Sequence, residues 1–240
     1  MRTTGNLISA LCLGPAVAFA LMAAPAAKAN PLDRWRVSCG AEAGAITRSG
    51  KDWTFKTSRN LCPGGIFKQR AELESDKIAP TQKGAYRFST TLAITSASSE
   101  TLTLFQIHDG RLGCGPPLMV RLGGDGRLFI TGDYKVGDQP GENCIRDVLS
   151  ASGKSAARLP RDGTAHKLEV IIDFDGQSGF RVFLYLDGTL QVTGAYRPGS
   201  DPRLWRSKQF YFKHGVYSQN VIPYTVTSRG MRVDKIRLNQ

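Results

Sequence analysis

Ten short runs of β-forming residues follow one another along this chain, at 53–57, 67–74, 85–95, 101–108, 118–122, 127–132, 166–174, 180–187, 209–220 and 231–238. Turn signals such as Gly123-Gly124-Asp125-Gly126, Asp175-Gly176 and Asp187-Gly188 stand between them. In 166–174 the alternation is plain: Leu168, Val170, Ile172 and Phe174 share one face, and Lys167, Glu169 and Asp173 the other. No amphipathic helix of useful length interrupts the series. Many strands joined by tight turns predict two packed antiparallel sheets, an all-β sandwich of jelly-roll type with a groove on its concave sheet. With no internal repeat and no low-complexity linker, residues 30–240 read as one domain. The stretch 137–161, rich in Gly, Ser, Pro and charge, reads as loops near a cleft rim.

Residues 1–29 read as a secretory signal: Arg2, an apolar run from Leu7 to Ala24, and Ala27-Lys28-Ala29 before Asn30. The expected location is secreted or periplasmic, with no membrane partner. Removing this segment takes away Arg2 and Lys28 and no acid, which lowers the formal charge of +12 on 240 residues to +10 on 211. Such an excess of positive charge concentrates polyanions, nucleic acid or acidic polysaccharide, and equally suits a plain soluble surface. The remaining cysteines are Cys39, Cys62, Cys114 and Cys144. An even number in a secreted chain suggests disulfides, here paired locally as Cys39 with Cys62 and Cys114 with Cys144. No C-x-x-C pair or histidine cluster supports a zinc site. Turn chemistry accounts for Asp125, Asp175 and Asp187 without a metal.

Chemistry concentrates in three runs. In 209–220, Tyr211, Lys213, Tyr217 and Gln219 share a strand face with Gly215, which leaves room between them, while Phe212, His214 and Val216 share the other. His214 therefore reads as a hydrogen-bonded core residue, and His166 as a surface residue at a strand start. Gln106 and His108 lie opposite Phe105 and Ile107; Arg70, Glu72 and Glu74 lie opposite Ala71 and Leu73. Three such strands side by side would converge their polar faces on one cleft. Arg70 and Glu72 also read as a cross-face ion pair.

In this order, Arg-x-Glu-Leu from Arg70, Gln106-Ile107-His108 and Tyr211-Phe212-Lys213-x-Gly215-x-Tyr217-x-Gln219 resemble the three motif regions of the alginate lyases of polysaccharide lyase family 7. The chain departs from that pattern at Ala71, where Ser or Thr is usual, at Glu74, where a basic residue is usual, and at His214, where a small residue is common. The resemblance implies a jelly-roll sandwich and an endo-acting lyase that cleaves an acidic polyuronate by β-elimination, as a monomer without cofactor. That reaction needs the C5 carboxylate neutralised, a base for H5 and an acid for the departing O4. Residue by residue, it implies Arg70 and Gln106 on the carboxylate, where some other lyases use calcium. His108 becomes base or base partner and Tyr217 the acid, or acid and base together, with Lys213 beside it. Glu72, Tyr211, Lys213 and Gln219 line the subsites. Ile107 at the middle of its triplet leans towards guluronate-containing blocks. The alternatives are a lectin-like sandwich that binds without turnover, and a lyase of the same fold acting on a glucuronate polymer. A nucleic-acid binder is not expected. A glycoside hydrolase would need a carboxylate pair across the cleft, for which only Glu72 and Glu74 offer themselves.

Overall fold

The structure is a computed structural model that describes residues 30–61, 67–137, 143–146, 149–199 and 201–238. The expected signal segment and Cys62 lie outside the described residues. After a single 3-10 turn at Pro31–Asp33, the described chain is built of strands. The first eight are β1 (Trp35–Val37), β2 (Ile46–Ser49), β3 (Asp52–Lys56), β4 (Gln69–Ser75), β5 (Lys83–Thr95), β6 (Leu102–His108), β7 (Leu118–Leu122) and β8 (Leu128–Thr131). The rest are β9 (Tyr134–Lys135), β10 (Cys144–Ile145), β11 (Ser150–Ala151), β12 (Asp162–Asp175), β13 (Phe180–Leu186), β14 (Thr189–Tyr196), β15 (Tyr211–Ser218) and β16 (Thr225–Ile236). Among the described residues no helix is long and apolar enough to cross a membrane.

All pairings between these strands are antiparallel. A six-stranded sheet has the order β1-β4-β15-β6-β7-β8, and an eight-stranded sheet the order β11-β14-β13-β12-β5-β16-β3-β2. Their inner faces form one core, in which Phe88 of β5 meets Phe105 of β6 with ring centres 4.9 Å apart. The alternation read in 166–174 is the device that builds it: Leu168, Val170, Ile172 and Phe174 are all buried. Each fully buried side chain of this size contributes about 1.5–3 kcal/mol. The expected all-β sandwich is therefore the observed fold.

Six of the described strands escaped the sequence reading: β9, β10 and β11 are two residues long, too short to carry a pattern, and β1, β2 and β14 were missed for other physical reasons. β1 and β2 are short and largely exposed, so they carry little apolar pattern. β14 carries mixed burial rather than alternation, and Gly194 sits in its interior. The turn before it was legible: Leu186 pairs with Thr189 across Asp187 (φ +50°) and Gly188 (φ +79°), the two positive angles of a type I′ hairpin. Of the stretch read as cleft-rim loops, Ser150–Ala151 instead joins the larger sheet beside β14.

The expected bond between Cys114 and Cys144 is present, with a Cα–Cα distance of 5.8 Å. Cys39 is also disulfide-bonded. Turn chemistry is where it was expected at Asp125, whose carboxylate accepts the Arg127 N–H, and at Asp175, which accepts those of Gln177 and Gly179; Asp187 sits in the turn before β14, and its carboxylate accepts the Lys167 N–H of β12. His166, in β12, is partly buried and its Nδ1 lies 2.7 Å from the Asp187 carboxylate.

Candidate active site

The six-stranded sheet places β15 between β4 and β6, so the three chemistry-bearing runs are neighbours. Register decides which side chains meet. Tyr217 pairs with Arg70, Gly215 with Glu72 and Lys213 with Glu74 on one side; Lys213 pairs with Gln106 and Tyr211 with His108 on the other. The convergence expected from alternation is thus realised. A cleft of about 170 Å³ is lined by Arg70, Gln106, His108, Tyr211, Lys213 and Tyr217, with the Gly110–Pro116 segment as its rim. The Cys114–Cys144 bond ties that rim down.

Two features of β15 differ from the sequence reading. Gly215 does not open the groove. A Cβ there would stand 2.2 Å from the Ala71 carbonyl oxygen and 2.8 Å from the Glu72 Cα, so the glycine permits a close approach of β4. It lies at φ +138° beside an irregularity, because the register between β15 and β6 shifts between His214 and Tyr217. A matching shift between β6 and β7 lets Leu104 and Phe105, adjacent in sequence, both enter the core. Gln219 lies beyond the end of β15 and borders a neighbouring cavity rather than this cleft.

Glu72 is also placed differently from a subsite residue. It is 1% exposed and lies beneath the cleft floor. Its carboxylate accepts a hydrogen bond from Gln106 Nε2 and stands 3.1 Å from Arg70 Nε. Burial pushes the Glu72 carboxyl up, against the charges of Lys213 and Arg70 and the Gln106 amide. The ion pair read between Arg70 and Glu72 therefore exists, and it aims Arg70 rather than excluding it from the site. The guanidinium lies 4.4 Å from the centre of the Tyr217 ring, and its Nη1 donates to Cys39 Sγ at 3.0 Å. Arg70, not Lys213, is thus the cation against Tyr217. Lys213 sits 5.8 Å from the Tyr211 ring, and burial, reinforced by Arg70, lowers its pKa against the pull of Glu72 and Glu74.

The two histidines are set by their partners. His214 is fully buried. Its Nδ1 donates to the Leu104 carbonyl at 2.8 Å, which leaves Nε2 to accept from the Ser228 hydroxyl on the opposite sheet. It is the hydrogen-bonded core residue expected. His108 stacks on Tyr211 at 5.2 Å, and its Nδ1 accepts the Gly110 N–H at 3.1 Å. The proton of the neutral ring then sits on Nε2. Burial, followed by the charges of Lys213, Lys135 and Arg70, holds His108 well below the ordinary histidine range, so the ring stays neutral. Tyr211 is pushed upward by burial and nearby carboxylates.

Tyr217 is 5% exposed, and its hydroxyl accepts the Phe67 N–H at 3.1 Å. The Phe67 ring packs on it at 4.4 Å. Phe67 and Cys39 are site residues that sequence reading missed, because neither belongs to a polar strand face. Glu74 borders the cleft and is held by Arg36 of the edge strand at 2.7 Å. Beside the site, Lys135 and Asp109 form a buried ion pair under the rim. Among the described residues no group of three or more His, Cys, Asp or Glu is arranged to hold a metal.

No family model matches this sequence, and neither does any curated protein. Solved structures match the fold. The alginate lyase AlgAT5 of polysaccharide lyase family 7 superposes with a TM-score of 0.54 at 18% identity, over 85% of this chain and 95% of that one. Alginate lyase A1-II′ of the same family gives 0.55 at 14% identity, over 86% and 96%. The exolytic family 7 alginate lyase AlyA5 from Zobellia galactanivorans gives 0.54 at 11% identity, over 87% and 97%. The chain shares the β-sandwich fold of these alginate lyases.

Proposed function

We propose that this protein is a polysaccharide lyase that cleaves an acidic polyuronate, alginate first among candidates, by β-elimination within the chain. It acts as a single domain of residues 30–240, secreted or periplasmic after loss of 1–29. The observation that carries the reading is the register of β4, β15 and β6, which gathers Arg70, Gln106, His108, Lys213 and Tyr217 around one cleft. Likeness of fold to alginate lyases supports it.

Arg70, Gln106 and Lys213 supply the charge and donors that a C5 carboxylate needs as H5 becomes acidic. Of the two roles open to His108, its geometry favours base partner: Nδ1 is occupied by Gly110, so Nε2–H is a donor and not a lone pair. Tyr217 then handles both protons. As the phenolate it takes H5; the C5–H electron pair forms the C4=C5 bond, the C4–O4 bond breaks, and O4 leaves with the proton Tyr217 returns. A single residue can do this only when H5 and O4 lie on the same face of the sugar. They do in mannuronate and glucuronate, and not in guluronate. The reading thus favours mannuronate-rich alginate, against the lean that Ile107 gave.

A lectin-like sandwich without turnover is the second reading, favoured by the cover that Phe67 lays over Tyr217. One panel separates the possibilities. Mannuronate-rich, guluronate-rich and glucuronate polymers are incubated with the protein and the ultraviolet absorbance of the C4=C5 bond is followed. Absorbance growing fastest on mannuronate or glucuronate polymer is expected. Tight binding with no absorbance on any polymer would favour the lectin, and fastest growth on guluronate would overturn the donor role of His108.

A further inference from the structure

A second cavity, also of about 170 Å³, adjoins the cleft on the β7–β8 side of the small sheet. Phe67, Gly115 and Met119 belong to the walls of both; Arg121, Thr131 and Gln219 belong to the second alone. Phe67 is 6% exposed, with its ring centre 4.4 Å from that of Tyr217 and 5.7 Å from the Arg121 guanidinium. It stands between the phenol proposed to carry the protons and the cation of the neighbouring cavity. The Thr131 hydroxyl is buried there with no hydrogen-bond partner among the described residues. Asp133, in the same wall, accepts the Gly115 N–H at 2.8 Å and faces Arg146 at 3.7 Å, and Arg121 also lies 5.5 Å from the centre of the Phe129 ring.

We propose that Phe67 is a specificity-determining residue: a wall that divides the groove beside Tyr217, with the Arg121 side serving as a separate subsite for the adjoining uronate. The inference rests on the lyase reading. A polyuronate crossing the groove passes over the Phe67 ring, one sugar meeting Tyr217 and the next presenting its carboxylate to Arg121 and its hydroxyls to Thr131 and Gln219. The wall fixes the register of the chain, and therefore which bond is cut. It is the side chain of Phe67, not its backbone, that is proposed to do this. The bond to the Tyr217 hydroxyl comes from the Phe67 backbone N–H, which any residue except proline keeps.

The test compares product lengths at equal conversion for wild type, Phe67→Ala and Phe67→Leu on the polyuronate that wild type cleaves best. Phe67→Ala joins the two cavities, so its products should spread to a broader range of lengths. Phe67→Leu, which keeps most of the bulk, should restore the wild-type pattern. Thr131→Tyr fills the second cavity from β8 without touching Tyr217, and should raise KM for polymer roughly tenfold while leaving kcat nearly unchanged. Should Phe67→Ala fail to fold, Thr131→Tyr decides alone. A Phe67→Ala product pattern that coincides with wild type, or an unchanged KM in Thr131→Tyr, would overturn the wall. A wild type that generates no C4=C5 absorbance on any polyuronate would instead count against the lyase reading.

Discussion

Replacing Gly215 by alanine tests whether the close approach of β4 to β15 holds the site in place. The new Cβ would stand 2.2 Å from the Ala71 carbonyl oxygen, 2.8 Å from the Glu72 Cα and 3.1 Å from the Phe55 ring. Backbone on one side and a buried ring on the other leave no flexible tip to move aside. A non-glycine residue at φ +138° adds strain of about 1–3 kcal/mol. Overpacking adds about 1–3 kcal/mol more. The sum, about 2–6 kcal/mol, is a large share of the roughly 5–15 kcal/mol that holds a domain folded. At about 2–4 °C per kcal/mol, the melting temperature should fall by roughly 5–20 °C. Gly188→Ala is the control, because Gly188 lies at φ +79° with nothing within 4 Å and isolates strain from clash. Because β4 carries Arg70 and Glu72, a shift of about 1 Å should also slow turnover about 100-fold at temperatures where the variant is folded. Circular-dichroism melts and the double-bond assay read the two effects. A Gly215→Ala melting temperature equal to that of Gly188→Ala would mean that the close approach of β4 does not require the glycine.

Two further outcomes concern stability. Burial lowers the His214 pKa to about 4 from an ordinary 6.5, against the Leu104 carbonyl bond. Between those values the unfolded chain binds a proton that the folded one does not, so stability present above pH 6.5 is lost as pH falls towards 4, by roughly 3 kcal/mol in all. Urea unfolding at pH 7 and pH 4.5 should show most of this loss in wild type and less in His214→Gln; equal losses would contradict it. Converting Cys114 and Cys144 together to serine opens a bond of sequence separation 30 and should cost about 3–4 kcal/mol in denaturant unfolding. Because Cys114 sits in the cleft rim, KM for polymer should rise as well; an unchanged unfolding midpoint would count against the bond as a stabilising link.

Much of the fold and the heart of the site were legible because a strand shows its faces through a period of two. That rule sorted Arg70, Gln106, Lys213 and Tyr217 to one side and His214 to the other, and only their neighbourhood needed the structure. Direction along a face says nothing about depth, which is why Glu72, read as lining a subsite, lies beneath the floor. It also says nothing about what arrives from outside the sheet. Cys39 follows β1, and Phe67, read as the start of the run 67–74, precedes β4, which begins at Gln69; no local pattern marks either as a site residue. Gly215 was read as room for a ligand because a glycine in a strand has the same signature whether the near neighbour is substrate or another backbone. The shift of register at Leu104 left no trace in composition, since it puts one apolar residue next to another.

That Tyr217 moves the protons of an elimination reaction is put to the sharpest trial by Tyr217→Phe. The variant keeps the ring on which Arg70 and Phe67 pack and removes one hydroxyl that accepts a backbone N–H, at a cost of about 1 kcal/mol. Folding and polymer binding should survive. Tyr211→Phe is the control, because Tyr211 lines the same cleft and is assigned no proton. With the rate of C4=C5 absorbance measured on the best polyuronate, Tyr217→Phe should lose about 100-fold to 10,000-fold in turnover with little change in affinity, while Tyr211→Phe keeps most of its activity. A Tyr217→Phe variant that retained a large part of the wild-type rate would contradict the assignment and leave β15 as a binding wall alone.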